Sequence, residues 1–373
     1  MKVLVTIVRI LTGLLFIFSG LVKAIDPRGL AYKMEEFFEA WSNAGFMKGM
    51  MESLGHYSLS FSIIMITLEV VVGVALLIGW QKRITTWILL LLMLFFTFLT
   101  SYVLFSGKIR ACGCFGDCIP LTPNQTFTKD IILLIFALLL LIKSKYITPI
   151  AKPFFSFLYI LLATILTLFL QFYVLKHLPL KDCLPYKKGN DILKLREMPM
   201  DAIQDEFDLV FIYEKNGVQK EFPMSALPDS SWKYIDRKQT LVKKGKNNVP
   251  LINDFSLTDA DGNDQTDSIL NNRDEYYLVF IKDVPDNTGQ WLTAFKKIST
   301  DAMVEIKKLY VITAQRTVIE KFMLKNAISV DAVLTCDATA IKTAARTNPT
   351  LYKMKGPIVQ DKWGWADFGK VVK

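Results

Sequence analysis

The sequence predicts an α-helical transmembrane bundle, four helices plus a fifth, followed by a soluble α/β region. Three observations predict it. Hydrophobic residues make up 52% of the 373-residue chain and charged residues 21%, a balance too apolar for a soluble chain of this length. The long apolar runs are confined to residues 1–175, whereas residues 176–373 mix charges, Asn-Gly and Asp-Gly turns and scattered tryptophans. In that second half, short apolar strand-like runs alternate with helical patterns, which argues for an α/β arrangement.

A bilayer core takes ~20 apolar residues in a helix. Residues 3–22, 61–80, 84–105 and 154–175 meet that length. Residues 131–142 are short and need flanking residues to cross; without that crossing the second half changes sides of the membrane. The first run is open to reading as a signal peptide, with small residues at Val22-Lys23-Ala24, but its length favours a retained helix. Between the first two runs, Tyr32, Met34, Phe37, Phe38 and Trp41 recur at near-helical spacing. That fits either an amphipathic helix on the membrane rim or an aromatic stripe packed on the bundle. Asp26-Pro27-Arg28-Gly29 leads into it as a turn.

In the second half, residues 207–213 and 218–222 read as strands about the Asn216-Gly217 turn, with 232–241 as a third. From residue 249 the pattern changes. Residues 253–258 read as a strand entry before the Asp259-Ala260-Asp261-Gly262 turn. Residues 276–282 and 309–313 read as buried strands, 290–300 and 318–326 as helices, and 351–354 with 358–360 as a hairpin around Gly356. The expected organisation is a four-helix membrane domain at 1–147, a fifth helix at 148–176, a tether with a small β element at 177–248, and an α/β domain at 249–373.

The net charge of +9 fits anionic lipid or a solvated lysine-rich surface. Nucleic acid is not an expected partner, because no Lys/Arg cluster is interleaved with aromatics and no nucleic-acid motif occurs. The dense basic turns, Lys82-Arg83 and Lys143, Lys145 and Lys152, are expected in the cytoplasm. The N-terminus is then cytoplasmic. The cysteine loop and the C-terminal domain fall on the periplasmic side of a bacterial inner membrane.

Five cysteines carry the chemistry. Three stand in Cys112-Gly113-Cys114-Phe115-Gly116-Asp117-Cys118, Cys183 follows the fifth run at the same face, and Cys336 lacks a partner and reads as buried. An exported face permits disulfides, and four thiols allow three full pairings that sequence does not choose among. Lys108 and Arg110 favour a thiolate here and Asp117 opposes it. A Cys112–Cys114 bridge departs from the ~5.5 Å Cα spacing of ordinary disulfides, and strained bridges are more oxidising and more labile. Three roles stand open. Cys112 and Cys114 form a catalytic shuttle, with Cys118 or Cys183 as resolving thiol relaying to a quinone or an external partner. Alternatively, the loop is stapled to Cys183 by a structural disulfide. The third role is a metal site with His56 and His177, against which Cys-x-Cys is tighter than zinc spacing.

Glu69, inside the second run, is a functional candidate by default, for a proton or quinone role. The plainer reading is a packing acid bonded to Thr97, Thr100, Ser101 or a carbonyl. Asp259, Asp261, Asn263 and Asp264 fit a turn, since the glycine is misplaced for an EF-hand.

Two motifs carry resemblances. Gly13-x-x-Phe16-x-Phe18-Ser19-Gly20-x-x-Lys23-x-x-Asp26-Pro27 resembles the first helix of DoxX-like membrane proteins. Cys112-Gly113-Cys114-Phe115-Gly116, between the third and fourth runs, resembles the loop of MauE, the membrane protein of methylamine-utilisation clusters. The resemblance implies a four-helix membrane bundle acting in periplasmic disulfide formation beside a thioredoxin-like partner. The fifth helix would then carry the C-terminal region across. Residues 249–368 resemble a thioredoxin-like domain, through Asp254-Phe255-Ser256-Leu257 at its entry and Thr347-Asn348-Pro349-Thr350-Leu351-Tyr352 as a cis-proline segment. That family's dithiol belongs after Phe280, where this chain reads Lys282-Asp283-Val284-Pro285-Asp286-Asn287-Thr288 without a cysteine. The resemblance therefore implies a thioredoxin-like scaffold lacking its dithiol, as in DoxX/MauE-type fusions of Bacteroidetes. The expected function is periplasmic thiol–disulfide redox or protein maturation with a client or redox partner protein. The alternative is a non-catalytic assembly or binding subunit whose thioredoxin-like domain holds a partner.

Overall fold

The computed structural model describes residues 1–373 except 108, 110–112, 114–115, 244, 285–287 and 373. Helices α1 (Lys2–Ala24), α2 (Pro27–Asn43), α3 (Lys48–His56), α4 (Ser58–Ile78), α5 (Lys82–Ser106), α6 (Pro123–Ile142) and α7 (Pro153–His177) build the first half. Among the described residues five of them, α1 and α4 to α7, are long and apolar enough to cross a membrane. The fourth crossing is longer than its apolar run suggests. α6 starts at Pro123, eight residues before residue 131, because Thr122 caps it reciprocally with Gln125. It also carries Asp130, which is buried and lies 2.7 Å from the Lys129 amine.

The glycines of the α1 motif set its approach to α4. A Cβ at Gly13 would stand 2.7 Å from Leu77, one at Gly20 2.5 Å from Val70, and one at Gly73 2.9 Å from the Gly13 carbonyl oxygen. Small residues let the two backbones close in this way, the usual means of packing apolar helices where lipid offers no hydrophobic drive. The motif's last residues start the next helix. Asp26 caps α2 by accepting from the Gly29 amide at 3.2 Å, with Pro27 in the first turn.

α2 packs on the bundle. Met34, Phe37 and Phe38 are buried, and the Trp41 ring centroid lies 5.7 Å from Phe98 and 5.8 Å from Tyr102 on α5. Of the two readings of its aromatic stripe, the packed one is realised. Ser62 on α4 fixes α2 further, donating to the Pro27 carbonyl at 2.7 Å.

Beyond α7 come α8 (Ile192–Arg196) and the strands β1 (Glu206–Lys215), β2 (Val218–Pro223) and β3 (Lys233–Lys243), antiparallel in the order β2-β1-β3. Asn216 and Gly217 both take positive φ in the β1–β2 turn, as a two-residue hairpin of this twist requires. There follow α9 (Thr266–Leu270), β4 (Glu275–Phe280), α10 (Thr288–Val304), β5 (Leu309–Thr313), α11 (Arg316–Lys325), β6 (Ala332–Thr335), α12 (Ala338–Ala344), β7 (Thr350–Lys355) and β8 (Ile358–Gly364). They form a sheet ordered β6-β5-β4-β7-β8, parallel from β6 to β4 and antiparallel from β4 to β8.

The strands alternate their faces with period two. Tyr276, Leu278 and Phe280 join Tyr352, Ile341 and Leu270 on one side. Val279 and Ile281 join Trp291, Phe295 and Ile319, from α10 and α11, on the other. The first face also recruits Tyr186 and Ile192 from the stretch before the small sheet. Residues 253–258 are not a strand. They meet the sheet through an isolated bridge from Thr258 to Thr335 and through Phe255, whose ring centroid lies 6.4 Å from that of Phe280.

Candidate functional site

The ends of α1 and α5, the starts of α2, α4 and α6, and the end of α7 lie at one end of the bundle, where the α/β unit docks. Cys118 bonds to Cys183 there, with Cα atoms 5.0 Å apart and a sequence separation of 65. The bond joins the loop to Cys183, the pairing that the staple reading expects. Once bonded, neither sulfur is a free resolving thiol. Cys112 and Cys114 lie outside the described residues.

Arg346, between α12 and β7, is the centre of the contact. Its Nε donates to Asp26 at 2.7 Å and its Nη2 to Asp117 at 2.6 Å. One guanidinium thus joins the cap of α2 and the cysteine loop to the α/β unit, using the planar fork that only arginine presents. Burial works against the charge of Arg346, but Asp26 and Asp117 outweigh it and its pKa is raised. Burial also raises the pKa of Asp26, with the neighbouring Arg346 charge opposing that shift.

Around this clamp, the Tyr32 ring carries Lys282, Lys342 and Arg346, each 5.5 Å from its centroid. Lys342 lies 3.0 Å from Glu35, and Lys362 lies 2.6 Å from Asp182, next to the bridged Cys183. A Cβ at Gly364 would stand 2.4 Å from the Lys176 carbonyl oxygen, so the end of β8 rests directly on the last turn of α7.

The peptide bond Asn348–Pro349 is cis. The Asn348 side chain accepts from the Lys282 amide at 3.0 Å and donates to the Asp283 carbonyl at 3.0 Å. The cis-proline segment therefore braces the turn after β4, where the sequence has no cysteine. Cys336 is buried and free, with its thiol pKa pushed up to about 12 by burial.

Below the loop, Lys23 and Glu69 form a buried ion pair at 2.7 Å, and the Lys23 amine sits 4.7 Å over the Phe96 ring. Sequence reasoning flagged Glu69 but looked to the wrong partners. Thr100 and Ser101 donate instead to the Phe96 and Phe98 carbonyls of their own helix. The signal that could have found the pair was Lys23 itself, a cation at the end of an apolar run. The cavity beside the pair, also lined by Ser19, Met93 and Asp130, encloses about 10 Å³. That is roughly the room of one water. A quinone ring does not fit it.

The histidines lie apart from each other in the fold's contacts. His56 packs on Tyr57, and His177 lies 3.0 Å from Asp367. Among the described residues no group of three or more His, Cys, Asp or Glu side chains converges as a metal site. Asp259 accepts from the amides of Asp261 and Asn263, the expected turn.

Comparison with known proteins bears on both halves. Residues 1–143 match the family described as Methylamine utilisation protein MauE. Residues 207–244, the small three-stranded sheet, match a domain of unknown function (DUF8463). The chain is similar to Protein TlpB of Flavobacterium psychrophilum, 32% identical over 169 residues, which is 44% of this chain and 43% of the relative. It therefore spans less than half the length of that relative. No solved structure matches the chain. The protein is thus a multi-pass membrane protein with a MauE-like helical domain and a following α/β region.

Proposed function

We propose that this protein takes part in thiol–disulfide exchange or protein maturation on the periplasmic side of the bacterial inner membrane. Cys112 and Cys114 are the exchanging pair. The Cys118–Cys183 bridge is the staple that holds their loop to the base of the α/β unit. That unit is a thioredoxin-like body without a dithiol, and it presents a partner or client to the loop.

The observation that carries this reading is the Arg346 clamp, one residue before Thr347 of the cis-proline segment and bonded to Asp117, one residue before Cys118. A thioredoxin-like reading is supported by the parallel β4, β5 and β6, the antiparallel β7–β8 hairpin, and the Asn348 side chain bracing the turn after β4. The orientation is supported by the Lys/Arg-rich turns at 81–83 and 143–152, at the bundle end opposite the cysteines. The MauE-like match supports the redox assignment of the helical half.

The exchange needs no further oxidant for one turnover. A client thiolate attacks one sulfur of a Cys112–Cys114 disulfide, forming a mixed disulfide and releasing the other loop sulfur as thiolate. The client's second thiol then attacks the client sulfur of the mixed disulfide. The client leaves oxidised and the loop leaves as a dithiol, having taken two electrons.

Labelling of intact cells with a membrane-impermeant maleimide tests this. Cys112 and Cys114 are expected to label after mild reduction and to regain protection on reoxidation, while Cys336 stays unlabelled as an internal control. A Gln81→Cys variant labels only in opened cells. Labelling at position 81 from outside, with none at the loop, overturns the orientation and the redox reading together. A loop that reaches the label in full and never reoxidises leaves the alternative, a non-catalytic assembly subunit. One observation favours that alternative: the staple consumes two of the four thiols, and the α/β unit offers no dithiol.

A further inference from the structure

We propose that the groove between α2 and α12 receives an extended, basic, cysteine-bearing segment of a client polypeptide, an inference that rests on the redox reading above. The groove encloses about 610 Å³ and opens to solvent where the helical bundle meets the α/β unit. Its size falls within the ~300–1,000 Å³ of ordinary binding clefts. It is not an enclosed apolar pocket of the kind that takes a small ligand.

Its lining includes Asp117 of the cysteine loop, and a Cβ at Gly113 would stand 3.4 Å from the Lys33 side chain of α2. A segment laid in the groove therefore runs along the described part of that loop.

The lining selects the occupant. Among the described residues, the groove's cations are already engaged: Lys33 with Glu36, Lys342 with Glu35, and Arg346 with Asp26 and Asp117. Among the described residues, the side chains of Glu39 and Asp254, which also line it, make no ion pair or hydrogen bond with the chain. Two carboxylates are left to meet incoming charge, so a segment with Lys or Arg beside its cysteine is the complementary one. The side chains of Asn43 and Asn253, which also line the groove, are exposed and likewise unbonded among the described residues. Each offers an amide donor and acceptor, the pattern that an extended backbone satisfies.

The test uses the full chain in lipid nanodiscs with its loop oxidised. The probes are a reduced ten-residue peptide with two cysteines flanked by lysines, the same peptide with glutamates for lysines, and a small dithiol. Peptide disulfide formation and mixed disulfides are read by mass spectrometry. The lysine peptide is expected to react faster than the glutamate peptide. Asn43→Trp, which fills the groove, and the pair Glu39→Lys with Asp254→Lys should each slow the lysine peptide about tenfold, equivalent to a 1.4 kcal/mol loss. Both should leave the small dithiol unchanged. Equal peptide rates in wild type and Asn43→Trp overturn the groove, as does an equal slowing of the small dithiol.

If the wild-type loop oxidises neither probe, the redox reading has failed and the groove is judged by binding alone. Fluorescence anisotropy of a cysteine-free lysine peptide then decides. Binding that Asn43→Trp abolishes sustains the groove, and binding that is absent or unaffected rejects it.

Discussion

Arg346 donates to Asp117 at 2.6 Å across 229 residues of sequence. The same guanidinium reaches Asp26 through its Nε, so two carboxylates from separate parts of the helical domain share one cation from the α/β unit. The contact fixes three segments at once: the α2 cap, the loop that ends in Cys118, and the turn into the cis-proline segment.

Removing the charge at this point should loosen the whole contact. Arg346→Met leaves Asp26 without its counter-charge in a site whose burial already raises its pKa. Breaking one side of a buried pair costs about 3 kcal/mol or more. Arg346→Lys should recover only part, because an ammonium lacks the planar fork with which one guanidinium donates to both carboxylates. Hydrogen exchange of the full chain in detergent is the measure. Faster exchange is expected across residues 338–349 and at the start of α2, and unchanged exchange there would remove the clamp from the account.

The covalent staple acts beside it. The Cys118–Cys183 bridge closes a segment of 65 residues, for which loop-closure entropy gives a stabilisation of about 4 kcal/mol. The double variant Cys118→Ser/Cys183→Ser should melt at lower temperature than the wild type. Reductant should lower the wild-type melting temperature to the variant's value and leave the variant unmoved. A reductant effect of equal size in both would place the sensitive bond elsewhere.

Much of the fold was legible because its signals are local. The short apolar runs of β4 and β5, the Asn216-Gly217 turn and the four longest apolar runs each need only neighbouring residues to be read. The start of α6 was hidden because Lys129 and Asp130 interrupt its hydropathy, and only the packed bundle makes their burial tolerable. β6 is four residues long and draws its identity from pairing with β5. The site was half legible. The cysteines announced themselves, but the partners of Glu69 and Arg346 lie 46, 229 and 320 residues away. Nothing in a local pattern selects one distant charge over another.

Acid should weaken the α/β unit through Glu275. The amines of Lys353 and Lys307, 2.8 and 2.9 Å away, hold its pKa at about 2, below the ordinary 4.5. A carboxylate with a depressed folded pKa stabilises fully above its unfolded value and loses that contribution as pH falls through the folded one. The window is therefore pH 4.5 down to 2. The group is half-exposed, so the effect is modest. Glu275→Gln should show lower stability at pH 7 and a flatter decline below pH 4.5, read by thermal melts of the α/β transition at a series of pH values. A wild type and variant with parallel pH profiles would exclude Glu275 as the source.

The Lys23–Glu69 pair separates a structural role from a chemical one. Both side chains are nearly inaccessible, at 3% and 5%. Lys23→Met alone leaves a carboxylate facing Phe96 and Met93, and Glu69→Leu alone leaves an ammonium there. Each should cost about 3–5 kcal/mol, since an uncompensated buried charge is worse than none. The double variant Lys23→Met/Glu69→Leu removes both charges and fills the space with apolar groups. If the pair serves only packing, the double variant should melt near the wild-type temperature in detergent, well above either single variant. Its thiol exchange at the loop should then also match the wild type. A double variant that is as stable as the wild type but slow in exchange would instead assign the pair to proton handling beneath the cysteine loop, because folding alone would no longer explain why two charges are kept inside an apolar bundle.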